Sequence, residues 1–303
     1  MTTRTVGPMA GIGWLKNAIN LGRNNPKAVF GGAALLVITV LAVAFGAGLL
    51  QAAAVAMLGA NMTTMAVSML LLTLVMLVLI SMLIVGFLRL VDAVENGSPA
   101  RALDVFAGFG DLATSLRTIG LLVVLGIIQN VLLFGLLAVF AGGVIDWYAQ
   151  VLQASMAGAP PPMAALPEGL GIATLLMVVI GVVMYGVQAI GLCQIALRDR
   201  GILAALGDGF AGAFKNLLPL LVFTIAAIVA MLLVGVVVLL LATLVGVLAK
   251  IAGAWLAVVL GVPLYLLGML AMYVVMLGAM YHLWRDVCGG SDAVAAPGDA
   301  LTA

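Results

Sequence analysis

The chain has 303 residues, of which 66% are apolar and 8% charged, with a formal net charge of +1 and a mean hydropathy of +1.35. A water-soluble domain carries about 25% charged residues, so this chain cannot clothe itself in a hydrated surface, and its composition calls for lipid as the solvent. The near-zero net charge also argues against a nucleic-acid partner, which would need clustered Lys and Arg.

The first expected element is a short amphipathic helix. Trp14, Leu15, Ala18, Ile19 and Leu21 fall on one helical side, with Lys16, Asn17, Asn20 and Arg23 on the other, the pattern of a helix lying in the membrane–water interface. An apolar block then runs from Ala28 to Leu90, with a polar break around Gln51 to Thr64 where Gly59, Asn61 and two threonines gather. Since about 20 apolar residues span a bilayer, the block holds two helices and a turn. Its apolar run starts too late and extends too far for a cleaved signal peptide, so the first span is expected to be retained.

The pattern then recurs twice. Leu103, Phe106, Phe109 and Leu116 oppose Asp104, Asp111 and Ser115 ahead of a block from Ile119 to Leu197, broken between Asp146 and Glu168 by Pro160-Pro161-Pro162 and Pro167. Leu203, Leu206, Phe210 and Phe214 oppose Asp208 and Lys215 ahead of a block from Leu217 to Trp284, broken near Lys250 to Gly253. Phe106-Ala107-Gly108 returns as Phe210-Ala211-Gly212, and the blocks close on Leu88-Arg89 with Asp92, Leu197-Arg198-Asp199 and Trp284-Arg285-Asp286. The apolar runs are continuous rather than alternating, which is the helical rather than the β-barrel signature. The expected fold class is therefore all-α membrane: six transmembrane helices as three hairpins, each preceded by a short amphipathic interfacial helix. They form one multi-pass domain over 1–303, with repeat-like units 9–97, 98–200 and 201–290 and a disordered tail 291–303.

Orientation follows from the cations. Eleven of the twelve Lys and Arg lie in the amino-terminal segment, the loops between blocks or the carboxy-terminal end, and only Lys250 lies in a turn within a block. The positive-inside rule then puts both termini in the cytoplasm. Heavy use of Ala, Gly, Leu and Val points to a bacterium with GC-rich DNA. Arg89, Arg198 and Arg285 are expected as interfacial anchors that snorkel to headgroups, with Trp14 and Trp147 as aromatic ones.

Candidates for chemistry are few. No ionisable residue lies in the middle third of an expected span, which counts against a proton-coupled pump and intramembrane proteolysis. His282 is the sole histidine, and Cys193 and Cys288 lack metal-ligand spacing, so no metal and no cofactor is expected. The embedded polar residues are Gln129 and Asn130 on the third span, and Tyr185 and Gln188 on one face of the fourth. A carboxamide in hydrocarbon must be hydrogen-bonded or bear a cost of several kcal/mol. Both sets are therefore expected to face the bundle interior, as interhelical packing or as the lining of a solute path. Pro263 is expected to kink the sixth span.

Two stretches carry a family likeness: Gly13-Trp14-Leu15-Lys16, Ala18, Leu21, Arg23 and Asn25-Pro26, and then Ala196-Leu197-Arg198-Asp199, Ala205-Leu206, Phe210 and Asn216 through Pro219. In these the chain resembles a family of uncharacterised proteobacterial inner-membrane proteins, similar to YciC-type proteins and to the membrane domain attached to some glycerophosphodiester phosphodiesterases. The resemblance implies about six spans and an inner-membrane location, and no activity. The leading expectation is a non-enzymatic membrane module whose partners are membrane lipids or another membrane protein. The alternative is a small transporter or channel for an uncharged or lipid-like solute, using Gln129, Asn130, Tyr185 and Gln188. A third, a lipid-modifying enzyme built on Asp104, Asp111, Asp208 and Asp286, lacks any metal-ligand spacing.

Overall fold

A computed structural model of the chain describes residues 3–59, 61–156, 167–253 and 255–289. The expected tail 291–303 and the Pro160-Pro161-Pro162 run lie outside the described residues. Among those described there is no strand. The elements are α1 (Ala10–Ile19), α2 (Pro26–Leu58), α3 (Met62–Glu95), a 3₁₀ segment (Ala102–Gly110), α4 (Leu112–Phe140), α5 (Val144–Met156), α6 (Leu170–Arg198), α7 (Ile202–Lys215), α8 (Leu217–Ala252) and α9 (Trp255–Cys288). The six helices α2, α3, α4, α6, α8 and α9 are long and apolar enough to cross a membrane. The shortest has 29 residues and the longest 36, about 44 and 54 Å at the α-helical rise, against about 30 Å of bilayer hydrocarbon. The chain is an integral, multi-pass membrane protein.

Local chemistry sets the boundaries. Asn25 caps α2 by accepting from the Ala28 N–H at 3.2 Å, with Pro26 filling the first helical position, where its missing N–H costs nothing. Asn61 caps α3 through the Thr64 N–H at 2.9 Å. Gly59 and Gly253 end α2 and α8 at φ of +85° and +106°, the left-handed side that only glycine enters freely. The expected break at Asp146 is corrected: α4 ends at Phe140, and Asp146 lies inside α5, a helix the proline-rich context concealed. Helix α9 runs through Pro263.

Burial is concentrated at one end of the bundle, here the basal end. One core joins the start of α2 (Ala28 to Val37), the last part of α3 (Leu79 to Val94), Leu121 and Leu125 of α4, the second half of α6, Leu220 of α8 and Val274 to Cys288 of α9. Beyond it, the distal stretches expose Leu, Val and Ile almost continuously, most plainly from Met231 to Leu241 of α8. An apolar surface of that extent is stable in lipid and unstable in water.

The short elements wedge into this basal core. α1 packs on α8 and α9, the 3₁₀ segment on α2 and α3, and α7 on α6. The 3₁₀ segment turns Val105 and Gly108 inward and leaves Leu103 and Phe109 exposed; α7 buries Ala205, Leu206, Gly209, Gly212 and Ala213 and leaves Leu203 and Phe214 outside. Among apolar helices the gain lies in close backbone approach rather than in hiding bulky side chains from water. A Cβ on Gly86 would stand 1.9 Å from the Val105 carbonyl oxygen, and one on Gly108 2.1 Å from that of Met82. A Cβ on Gly11 would meet the Pro219 carbonyl oxygen at 2.2 Å. Glycine is the only residue these contacts admit.

Candidate functional site

Three arginines at the basal ends of α3, α6 and α9 each reach toward the next block of the chain. Arg89 donates from Nη2 to Asp111 Oδ2 at 2.6 Å and from Nε to the Ala196 carbonyl at 3.0 Å. The Arg198 guanidinium stands 5.8 Å from the ring centre of Trp284. Arg285 stands 3.5 Å from Glu95 Oε2 and 5.6 Å from the Tyr281 ring centre. These side chains, expected as interfacial anchors, thus also meet carboxylates, carbonyls and aromatic faces of neighbouring elements.

Two of these arginines line a pocket of about 450 Å³ between the basal ends of α3, α4 and α6. Its polar lining is Arg89, Asp111, Thr114, Arg117, Arg198 and Asp199. Arg117 bonds both the carboxylate and the carbonyl of Asp199. Asp199 ends α6 at φ +53°, the one non-glycine residue at positive φ among those described. Among the described residues, three guanidinium groups and two carboxylates line the pocket.

Asp111 does two jobs there. It caps α4 by accepting from the Thr114 N–H at 3.1 Å and receives Arg89. The Arg89 hydrogen bond, then those from Thr114, hold its carboxyl down to about 2. A depressed acid stabilises the fold above its unfolded-state value of about 3.9, and that contribution fades as pH falls toward 2. The thermal midpoint of the detergent-solubilised protein is therefore expected to fall on acidification below about pH 4, and Asp111→Asn to flatten part of that fall. Both groups are about one-third exposed, so solvent screening keeps the effect modest.

The other expected site residues are dispersed. Gln129 and Asn130 are exposed, and Asn130 Nδ2 donates to the Gly126 carbonyl of its own helix at 2.8 Å. Their expected place in the bundle interior is corrected: α4 is buried only as far as Leu125, and beyond that it no longer follows the core. Tyr185 is half-buried, stacked on Phe223 at 5.4 Å, with its hydroxyl 3.4 Å from the Met276 carbonyl. Gln188 is half-buried. Among the described residues no hydrogen bond joins the two sets. Trp14 is fully buried and donates from Nε1 to Asp286 Oδ2 at 2.9 Å, pinning α1 to α9, while Trp147 lies half-buried on α5 at the distal end.

Several basal contacts escape a sequence reading. The Tyr281 hydroxyl bonds Asp92 at 3.0 Å, and Gln194 and Arg200 both donate to Asp208 at 3.0 Å. The buried His282 has Nε2 4.0 Å from Glu95 Oε2. Asn216 ties the segment before α1 to the start of α8. Their partners lie up to 212 positions apart, and only the Arg–Asp pattern closing each block hinted at them. No group of three His, Cys, Asp or Glu is placed to hold a metal among the described residues. Comparisons with protein-family models, curated proteins and solved structures gave no match.

Proposed function

We propose that this integral membrane protein is a non-enzymatic module of a bacterial inner membrane that packs against lipid or another membrane protein. The observation that carries the reading is the division of the molecule. Its polar side chains are concentrated in a basal collar and largely bonded to one another, and its distal stretches offer little but apolar surface. The four acids of the enzymatic reading are each engaged: Asp104 accepts from the Arg101 N–H, Asp111 from Arg89, Asp208 from Arg200 and Asp286 from Trp14. A general acid or nucleophile needs a group left available to a substrate. The transport reading loses support because Gln129 and Asn130 stand apart from the interior.

We further propose that the basal end and both chain ends face the cytoplasm and that the three units are copies of one another. The charge asymmetry supports the first point. The second rests on each short element packing on the helices of the preceding unit, with α1 closing the circle on α8 and α9. Reporter fusions after Gly59 and Gly253 are expected outside, and those after Gly97 and Gly289 inside; the reverse pattern overturns the orientation. For the function itself, native mass spectrometry of protein extracted in mild detergent is expected to show a retained lipid or a membrane-protein partner. Recovery of the bare chain with neither sinks the proposal.

A further inference from the structure

The basal collar satisfies its own charges around much of its rim, and one edge is the exception. Arg89, Arg117, Arg200 and Arg285 each face a carboxylate, on Asp111, Asp199, Asp208 and Glu95. Lys16, Arg23, Lys27 and Arg101 are exposed, and among the described residues their side chains make no ion pair and no hydrogen bond. The fold brings these four to one edge. Lys16 lies in the last turn of α1, Arg23 on the turn that follows and Lys27 in the first turn of α2. Arg101 joins them from the far side of the first hairpin. Asn25 Nδ2 donates to the Ala100 carbonyl at 3.1 Å, and a Cβ on Gly31 would stand 2.9 Å from that of Ala102. The residues on either side of Arg101 are thus held against the first two turns of α2, at positions that flank Lys27.

Carboxylates are scarce there. No acid precedes Asp92 in the sequence. Asp92 and Glu95 are turned to Tyr281 and Arg285 of α9, and the exposed Asp104 accepts from the Arg101 backbone N–H. The edge therefore presents cations in excess, and its apolar neighbours say what kind of anion suits it. Ile12 and Ile19 beside Lys16, Phe30 beside Lys27 and Leu103 beside Arg101 are all exposed within a turn of their cation. A soluble acidic partner would leave those side chains in water, whereas a leaflet with anionic headgroups accommodates both. The edge also stands at the start of the membrane span α2, the depth at which long Lys and Arg side chains reach headgroup phosphates. We propose that this edge, where the α1–α2 turn meets the 3₁₀ segment, binds anionic phospholipid headgroups, with Ile19, Phe30 and Leu103 set among the acyl chains. This deepens the lipid-packing reading and rests on it.

The test reconstitutes the full chain in an equimolar mixture of phosphatidylglycerol and phosphatidylcholine with matched acyl chains. The protein is re-extracted in a mild non-ionic detergent and its retained lipid weighed by native mass spectrometry. Phosphatidylglycerol is expected to be retained over phosphatidylcholine, and less so when extraction is made in about 1 M salt, where charges are screened within about 3 Å. Lys16→Gln, Arg23→Gln, Lys27→Gln and Arg101→Gln are each expected to weaken that preference about fivefold, and the quadruple variant about a hundredfold or more. Because these side chains bond nothing within the chain, the thermal midpoint in detergent should not move, and the single variants carry the test should the quadruple fold poorly. Arg23→Lys combined with Arg101→Lys keeps the charge and is expected to keep the preference. Lys250→Gln removes an exposed cation at the distal end and is expected to leave it unchanged. A preference that survives in the quadruple variant overturns the edge while sparing the lipid-packing reading, and an unaltered chain that retains neither lipid overturns both. Displacement of phosphatidylglycerol by polyglutamate at equal charge would assign the edge to an acidic peptide and overturn the lipid proposal.

Discussion

Gly86→Ala and Gly108→Ala are each expected to remove most folded protein from a detergent extract. The two glycines face each other's segments. The carbonyl of Val105 lies where a Gly86 methyl would project, and the carbonyl of Met82 where a Gly108 methyl would project. At 1.9 and 2.1 Å neither contact can be relieved by rotating a side chain, because the obstructing atoms belong to backbone. The 3₁₀ segment would have to lift off α3, taking Val105 out of the core where it is fully buried. Overpacking a tight interior costs about 1–3 kcal/mol when side chains can adjust, and here the lost contacts add to it, against a total stability of about 5–15 kcal/mol. Both substitutions are relieved by the same displacement, so the double variant is expected to cost less than the sum of the singles. Gly46→Ala and Gly48→Ala supply the control: a Cβ there meets nothing within 4 Å, and each should gain up to about 1 kcal/mol in helix propensity. Thermal midpoints and the monodisperse fraction on gel filtration read all of these. Equal losses in the two pairs would show that helix propensity, not the 3₁₀–α3 contact, governs stability.

The spans were legible because their signal is one of solvent: an uninterrupted run such as Leu217 to Ala249 has no other stable environment, and Gly59 after α2 and Gly253 after α8 end such runs by known backbone preferences. Side-chain placement at the basal end was far less legible. The rule that the largest apolar residues seek the core holds for proteins in water, whereas Phe109 and Phe214 lie exposed, on the apolar side expected to face the membrane. In a bundle whose surroundings are as oily as its interior, Gly209 and Gly212 win the inner face because they let α7 approach α6. The same reversal explains Asn130. Its carboxamide needs a hydrogen bond, but the Gly126 carbonyl one turn back provides one, so burial between helices was sufficient but not necessary. The arginine pairings were hidden for another reason: Arg89 and Ala196 are 107 positions apart, and one sequence carries no record of which ends meet.

Asn216 is the second position where a small change is expected to have a large effect, and the one that tests how the circle of units closes. It is 1% exposed. Its Oδ1 accepts from the Val6 N–H at 2.8 Å, and its Nδ2 donates to the carbonyls of Arg4 at 3.0 Å and Gly212 at 2.9 Å. The segment before α1 is thereby strapped across the end of α7 and the start of α8, helped by Arg4 N–H bonding the Val287 carbonyl at 3.0 Å and by Lys215 Nζ bonding Thr3. Asn216→Ala leaves the Val6 N–H and the Arg4 carbonyl without partners, while the Gly212 carbonyl still accepts from the backbone N–H of residue 216, at about 1–3 kcal/mol for each orphaned group that stays buried. The chain has a cheaper response. The strap can peel away and hydrate its own groups, leaving the α6–α9 core intact, so the loss should level off near about 2–4 kcal/mol. Trypsin cutting after Arg4 reports that opening, and is expected to be roughly tenfold faster or more in Asn216→Ala. Asn216→Asp keeps the acceptor for Val6 but sets an anionic oxygen against two carbonyls, so it should release the strap at least as readily as alanine. A strap still protected in Asn216→Asp would mean that Lys215 and the Arg4–Val287 bond hold it unaided, and that the union of first and last units does not depend on the carboxamide.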